Sequence, residues 1–202
     1  MCSNPKMILL FCGKRKSGKD FLTDWLQNYE EMKNKAVIIR LSGPLKQCYA
    51  ENHGLDYSRL LDSSDYKEKY RKDMISWSEK IRNENPSYFC LKAIQMYSGE
   101  KFPIWIISDC RRKTDFEFFE SEYPEKTRRV RICASQEIRN SRGFIFQPGG
   151  ISYNIEIFLE YRITCYFFLI YPKICTHNLK PYTGPCFYII LAIKKCDAFQ
   201  DF

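Results

Sequence analysis

The sequence contains no apolar run long enough to cross a membrane as a helix. Its longest apolar stretches, residues 163–171 and 186–193, fall well short of the roughly 20 residues that such a helix needs. The apolar run at residues 7–12 is also too short for the core of a secretory signal peptide, and it leads directly into a loop of glycine and lysine. We therefore expect a protein of the cytosol, with the peroxisome as the alternative, that does not bind membranes.

Zinc-site and disulfide patterns are missing as well, although the chain has ten cysteines. No two cysteines stand in the Cys-x-x-Cys spacing of zinc sites, so we interpret them as reduced thiols that mostly pack in the interior. The two histidines, His53 and His177, lie outside every motif. The sequence therefore offers no histidine for catalysis and no structural zinc site.

What the sequence does have is positive charge. In 202 residues, 32 lysines and arginines stand against 24 aspartates and glutamates, which gives a formal net charge of +8. The excess lies before residue 151, because residues 151–202 hold five basic and four acidic side chains. Such a charge suits an anionic partner, either nucleic acid, an acidic membrane surface or a phosphorylated small molecule. The positions of the basic residues decide among these.

Short apolar runs alternate with helical patterns along the first 150 residues. The sequence predicts strands at residues 7–11, 36–41, 103–108 and 129–134. A long helical stretch spans about residues 45–97, with breaks near Gly54 and Pro86. This alternation predicts an α/β fold with a parallel sheet flanked by helices. Ligands of such sheets bind at the carboxyl ends of the strands.

A phosphate-binding loop follows the first predicted strand. Residues 13–20 fit the pattern Gly-x-x-x-x-Gly-Lys, with Asp20 in place of the usual serine or threonine. Gly18 lets the backbone N–H groups turn toward phosphate oxygens, and Lys19 reaches the β- and γ-phosphates. Because the usual hydroxyl ligand of Mg²⁺ is replaced, we expect Ser17 or Asp20 to help hold the metal.

Three more cations, Lys14, Arg15 and Lys16, crowd the same loop. They form either a solvated basic turn or the docking place of a second phosphorylated substrate. Further along the chain, basic residues recur at predicted strand ends and on helix faces, at Lys46, Lys67, Arg71, Arg82, Arg111 and Arg112.

Tandem arginines at the end of a strand favour anion binding, since the guanidinium fork matches phosphate and carboxylate geometry. Lys67 and Arg71 lie one helical turn apart on the same face of a predicted helix. This spacing fits two interpretations, an anion bound between the two side chains or an ordinary basic helix face in solvent. Asp109 precedes the tandem arginines, and it could orient an arginine, reach the metal shell or form a structural ion pair. Arg142, after the last predicted strand, occupies the place of a lid arginine that closes over the phosphates.

Four segments of the chain resemble the animal-type phosphomevalonate kinases, at residues 11–27, 40–75, 103–112 and 139–150. The resemblance implies a P-loop kinase fold like that of nucleoside monophosphate kinases, with a lid segment, and transfer of the ATP γ-phosphoryl group to 5-phosphomevalonate with Mg²⁺. It implies that the protein is a monomer of isoprenoid and sterol synthesis. It also assigns residues 14–20 and Arg142 to ATP binding, and it makes Lys19 and Arg142 catalytic. The same resemblance assigns six cations to binding of the acceptor: Lys46, Lys67, Arg71, Arg82, Arg111 and Arg112.

The tail departs from this resemblance, so we divide the chain into a kinase-like domain, residues 1–150, and a divergent segment, residues 151–202, without assigned elements. The alternatives are a catalytically impaired isoform of the same family and another P-loop small-molecule kinase. A nucleic-acid binder is disfavoured, because the basic residues stand at strand ends and not on one continuous face with stacking aromatics.

Overall fold

A computed structural model describes residues 5–62 and 65–145, together with the backbone of two short strands in the tail. The strands are β1 (Met7–Gly13), β2 (Ala36–Ile39), β3 (Ile104–Ile107), β4 (Thr127–Ile132), β5 (Tyr166–Leu169) and β6 (Ile190–Ala192). The helices are α1 (Lys19–Asn28), α2 (Ser42–His53), α3 (Tyr57–Leu61), α4 (Asp65–Glu84), α5 (Tyr88–Met96), α6 (Lys113–Glu122) and α7 (Gln136–Ser141). A 3₁₀ turn, Gly99–Lys101, precedes β3.

Strands β1 to β4 form one parallel sheet in the order β2-β3-β1-β4. In β1, Ile8 pairs with Trp105 of β3 and with Thr127 of β4. Both faces of this sheet are covered by helices, which explains why β1, β2 and β3 are continuous apolar runs. One face packs Leu10 and Trp105 against α5 and α6, and the other packs alternate residues of the same strands against α1. The predicted α/β fold with a parallel sheet is confirmed.

Helices α2 to α5 fill the chain between β2 and β3, as the sequence predicts. The breaks at Gly54 and Pro86 are confirmed: Gly54 caps α2 in the left-handed conformation (φ 61°), and Pro86 lies between α4 and α5. These helices share a small core of their own, in which Tyr49 and Leu60 pack against Met74.

All four strands differ from the prediction by one or two residues at one or both ends: β1 extends to Gly13, and β3 covers only Ile104–Ile107. β2 ends at Ile39 because Leu41 already has helical backbone angles (φ −62°, ψ −26°), so the chain turns at Arg40. β4 begins two residues earlier than predicted, since Thr127 pairs with Ile8, and it ends at Ile132. Helices α6 and α7 were not predicted.

The tail lies almost wholly outside the described residues. β5 and β6 pair antiparallel in a separate sheet, with Tyr166 opposite Ala192. The proposed division at residue 150 and the divergent character of residues 151–202 therefore stay predictions. Of the helices that the structure describes, none is long and apolar enough to span a bilayer.

Candidate active site

The loop between β1 and α1 has the backbone geometry of a phosphate cradle. Lys16 (φ 64°) and Gly18 (φ 93°) both adopt positive φ, which turns successive N–H groups toward one side of the loop. Gly13 has no room for a side chain, because a Cβ there would lie 2.7 Å from the carbonyl oxygen of Ile132. The predicted phosphate loop thus begins at the end of a buried central strand and ends at the start of a helix.

Ser17 and Asp20 fit the predicted metal site. The Ser17 hydroxyl is buried and has no hydrogen-bond partner among the described residues. Buried polar atoms normally have a partner, so this hydroxyl is available to bind a ligand. Burial raises the pKa of Asp20, but the hydrogen bond and charge of Lys19, with Arg40 and Arg111 farther off, bring it below its usual value. An ionised carboxylate and a free hydroxyl are oxygen donors of the kind that suits Mg²⁺. The chemistry of both residues therefore fits the ion, and their role as metal ligands stays a prediction.

Several cations from different elements lie close enough to one another to interact electrostatically. Burial lowers the pKa of Lys46 in α2, and the charges of Lys67, Arg111 and Arg40 lower it further, against the opposing charge of Asp109. Like charges held together cost free energy unless an anion lies between them. Within the described part of the chain, no carboxylate makes a salt bridge with Lys46.

Lys67 in α4 has the same character. Burial and the charges of Arg71, Arg111 and Arg15 lower its pKa, and the neighbouring Glu68 opposes them. Arg71 itself binds Glu68 at 2.9 Å. The structure thus brings a P-loop arginine, two helices and the residue after β3 into one electrostatic cluster, which we call the acceptor cluster: Arg15, Arg40, Lys46, Lys67, Arg71 and Arg111.

Two more of the predicted substrate arginines, besides Arg71, are engaged by carboxylates. Arg82 is buried, donates from Nη1 to Asp115 Oδ1 at 2.6 Å and lies over the ring of Phe89. Arg112 forms an ion pair with Glu79. The other oxygen of Asp115 accepts from the backbone N–H groups of Arg111 (3.1 Å) and Arg112 (3.0 Å). Arg82 therefore anchors the turn that carries Arg111, and its direct contact with substrate stays a prediction.

The lid arginine reaches the phosphate loop. Arg142 caps the end of α7 and donates from Nη1 to the carbonyl oxygen of Lys16 at 2.9 Å. The same nitrogen lies 3.1 Å from the position that a Cβ on Gly18 would take. The sequence-based placement of Arg142 beside the nucleotide loop agrees with this geometry.

Three residues of the site were not among the sequence-based candidates or had no assigned role. Arg40 stands at the end of β2, and its position directly after an apolar run could have identified it. Arg139 in α7 is buried over Phe144, with Nε and Nη1 lacking partners among the described residues. Asp109 accepts hydrogen bonds from the backbone N–H groups of Leu41 and Ser42. No local sequence pattern predicts hydrogen bonds between a carboxylate and backbone N–H groups that lie 67 and 68 residues away in the chain.

Comparison with known proteins decides the family. A family model for phosphomevalonate kinase matches residues 11–125. The chain is also 39% identical over 144 residues to the phosphomevalonate kinase of Drosophila melanogaster, a stretch that covers 70% of this chain and 75% of the fly protein. The chain belongs to the phosphomevalonate kinase family. The resemblance drawn from the motifs is thereby confirmed, together with the P-loop kinase fold.

The range that matches the phosphomevalonate kinase family model includes the phosphate loop and all six predicted acceptor residues, and it ends before the lid. The individual roles of these residues are not tested by membership of the family. Their assignment depends on the geometry described above.

Proposed function

We propose that this chain transfers the γ-phosphoryl group of ATP to 5-phosphomevalonate and forms 5-diphosphomevalonate. The observation that carries the proposal is the acceptor cluster: lysines and arginines from five separate segments meet beside a phosphate loop, and burial and mutual repulsion lower the pKa of Lys46 and Lys67. Such a cluster binds a compact and highly charged acceptor. 5-Phosphomevalonate carries a phosphate and a carboxylate.

The residues divide into a donor side and an acceptor side. On the donor side, the backbone of residues 14–20 cradles the phosphates of ATP, Lys19 contacts the transferring group and Arg142 closes over it from the lid. On the acceptor side, Lys46, Lys67, Arg71 and Arg111 bind the two anionic ends of 5-phosphomevalonate. Arg82 supports Arg111 through Asp115, and Arg112 ties the same turn to α4 through Glu79.

The acceptor oxygen belongs to a phosphate that is already ionised, so the reaction requires no general base. Catalysis then consists of aligning two anions and neutralising the repulsion between them. When bound at Ser17 and Asp20, Mg²⁺ would neutralise charge on the nucleotide phosphates. The absence of a catalytic histidine in this proposal agrees with the position of His53, which packs against Tyr49 and Trp77 in the helical layer.

A coupled assay of ADP release tests the proposal. We expect turnover with 5-phosphomevalonate and none with nucleoside monophosphates, which carry a base that the acceptor cluster has no partner for. Turnover with a nucleoside monophosphate in place of 5-phosphomevalonate would identify another P-loop kinase. ATP binding without turnover on either acceptor would identify a catalytically impaired isoform, and the divergence of residues 151–202 would then explain the loss of activity.

We also infer that the partners are small molecules and not nucleic acid, and that the chain acts as a monomer. Light scattering of the purified protein measures the oligomeric state. Imaging of the tagged chain distinguishes the cytosol from the peroxisome. Because the pathway follows from the acceptor, loss of the protein should deplete isoprenoid and sterol precursors downstream of 5-phosphomevalonate.

A further inference from the structure

Asp109 joins the end of one strand to the beginning of the helix that follows another. Its Oδ1 accepts from the N–H of Leu41 at 2.7 Å, and its Oδ2 accepts from the N–H of Ser42 at 3.0 Å. These amides belong to the start of α2, where the first N–H groups have no partner inside the helix. The hydrogen-bond ladder between β2 and β3 continues up to this point, because the N–H of Ser108 donates to the carbonyl oxygen of Ile39 at 3.1 Å. Both oxygens of a largely buried carboxylate are therefore engaged by backbone.

The same helix start is held from its other side. A Cβ on Gly43 would lie 2.5 Å from the hydroxyl of Tyr97 and 3.1 Å from the sulfur of Met96. The start of α2 thus donates hydrogen bonds to Asp109 and packs closely at Gly43 against Met96 and Tyr97 at the end of α5. This segment carries Arg40 at one end and leads into Lys46 one turn later.

We propose that Asp109 is a positioning residue that fixes the start of α2, so that Arg40 and Lys46 meet the anionic acceptor, and that it is not a ligand of the metal. The inference rests on the function proposed above. It follows from geometry: both oxygens of Asp109 already accept hydrogen bonds from main-chain amides, and both of these bonds hold the start of α2. The sequence leaves open whether Asp109 orients an arginine, reaches the metal shell or forms a structural ion pair, and this proposal assigns it to none of the three.

The test compares Asp109→Asn with the wild type in steady-state kinetics, with Asp73→Asn as the matched control. Asparagine presents an amide NH₂ where one of the two backbone N–H groups needs an acceptor, so one charge-assisted bond is lost. We expect the KM for 5-phosphomevalonate to rise about tenfold or more. The KM for ATP and the Mg²⁺ concentration that gives half-maximal rate should stay the same. Asp73 also contacts α2, through the hydroxyl of Tyr49, but at the far end of the helix, so its variant should keep the KM of the wild type.

A shift of the Mg²⁺ dependence with an unchanged acceptor KM would place Asp109 in the metal shell and overturn the proposal. Unchanged kinetics in both respects would also overturn it. If Asp109→Asn does not fold, Gly43→Ala replaces it, because the added methyl group would clash with the Tyr97 hydroxyl and the Met96 sulfur beside the same helix start and leaves every carboxylate in place. That variant should show the same selective rise in acceptor KM.

Two further readouts separate this inference from the proposed function. Hydrogen exchange of the amides of Leu41 and Ser42 should be faster in Asp109→Asn, whatever the reaction is. If the wild type does not act on 5-phosphomevalonate, the proposed function fails, and the affinity for inorganic pyrophosphate is then compared between wild type and variant. Weaker pyrophosphate binding by Asp109→Asn would still support the positioning role, and equal binding would refute it.

Discussion

Replacing Arg82 by methionine distinguishes an arginine that holds the fold from one that holds the substrate. The Arg82 and Asp115 side chains are 9% and 2% exposed, and they are joined at 2.6 Å. Removing the guanidinium leaves the carboxylate charge of Asp115 buried, and breaking one partner of a buried pair costs about 3–5 kcal/mol. Two backbone N–H groups still bind Asp115, and methionine keeps part of the packing against Phe89. We therefore expect the lower end, about 3 kcal/mol.

The assay is urea or thermal unfolding without ligands, on wild type, Arg82→Met, Asp115→Asn and the double variant. For a chain of this size, 1 kcal/mol corresponds to roughly 2–4 °C in melting temperature, so Arg82→Met should melt about 6–12 °C below the wild type. The double variant should be more stable than Arg82→Met, since it no longer buries an unpaired charge. Arg111→Ala is the control: Arg111 is exposed, and its loss should change stability by no more than about 0.5 kcal/mol. If Arg82→Met is as stable as the wild type but has a raised KM for the acceptor, the reasoning is refuted, and Arg82 binds the substrate directly.

Four further predictions concern the site and the tail. Lys19→Met should abolish phosphoryl transfer at unchanged melting temperature, and wild-type turnover in that variant would remove the loop lysine from the mechanism; if the parent chain is inactive, the affinity for ATP is measured instead. Arg111→Ala should weaken 5-phosphomevalonate binding about ten- to a hundredfold by calorimetry, whereas an equal loss of ATP affinity would contradict the division into donor and acceptor sides. Burial and the charges of Lys67, Arg111 and Arg40 lower the pKa of Lys46 despite the opposing charge of Asp109. Lys46 should therefore lose its proton, and acceptor binding should weaken, at a pH below the usual lysine pKa of about 10.4. Lys46→Arg should move that loss of binding to higher pH. A chimera with the C-terminal segment of the Drosophila enzyme in place of residues 151–202 should show higher turnover than the chain as it stands, and equal turnover would show that the divergent segment does not limit activity.

The elements that the sequence predicts well are those with one dominant signal. β1 and β3 are uninterrupted apolar runs because the sheet is covered on both faces, and the phosphate loop has fixed glycine and lysine positions. Helix α7 spans only six residues, too few to show a helical period. β2 ends early because Arg40 and Leu41 start a turn that Asp109 stabilises from 68 residues away. The local sequence around Arg40 and Leu41 does not predict that contact.

The same limit explains which parts of the site sequence reasoning could not resolve. The positive charge at strand ends is visible in the sequence, and it correctly indicates the edge of the sheet where the cations meet. Whether an arginine is available to a ligand depends on partners far along the chain, as with Arg82 and Asp115, which are 33 residues apart. Arg82, Arg111 and Arg112 look alike in sequence, yet the structure buries the first, exposes the second and pairs the third with Glu79.

Two buried aspartates at the carboxyl edge of the sheet organise the cations around them. Asp115 binds the guanidinium of Arg82 and the backbone of Arg111 and Arg112, and Asp109 binds the backbone at the start of α2. Neither carboxylate makes a salt bridge with Lys46 or Arg111 in the described part of the chain. These two carboxylates thus bind main-chain amides and one buried arginine. Arg40 and Arg71 of the acceptor cluster pair with Asp24 and Glu68, whereas Lys46 and Arg111 keep their positive charge for a ligand. An enzyme that must bring two anions together needs this separation, because a carboxylate paired with each lysine would compete with the substrate for it.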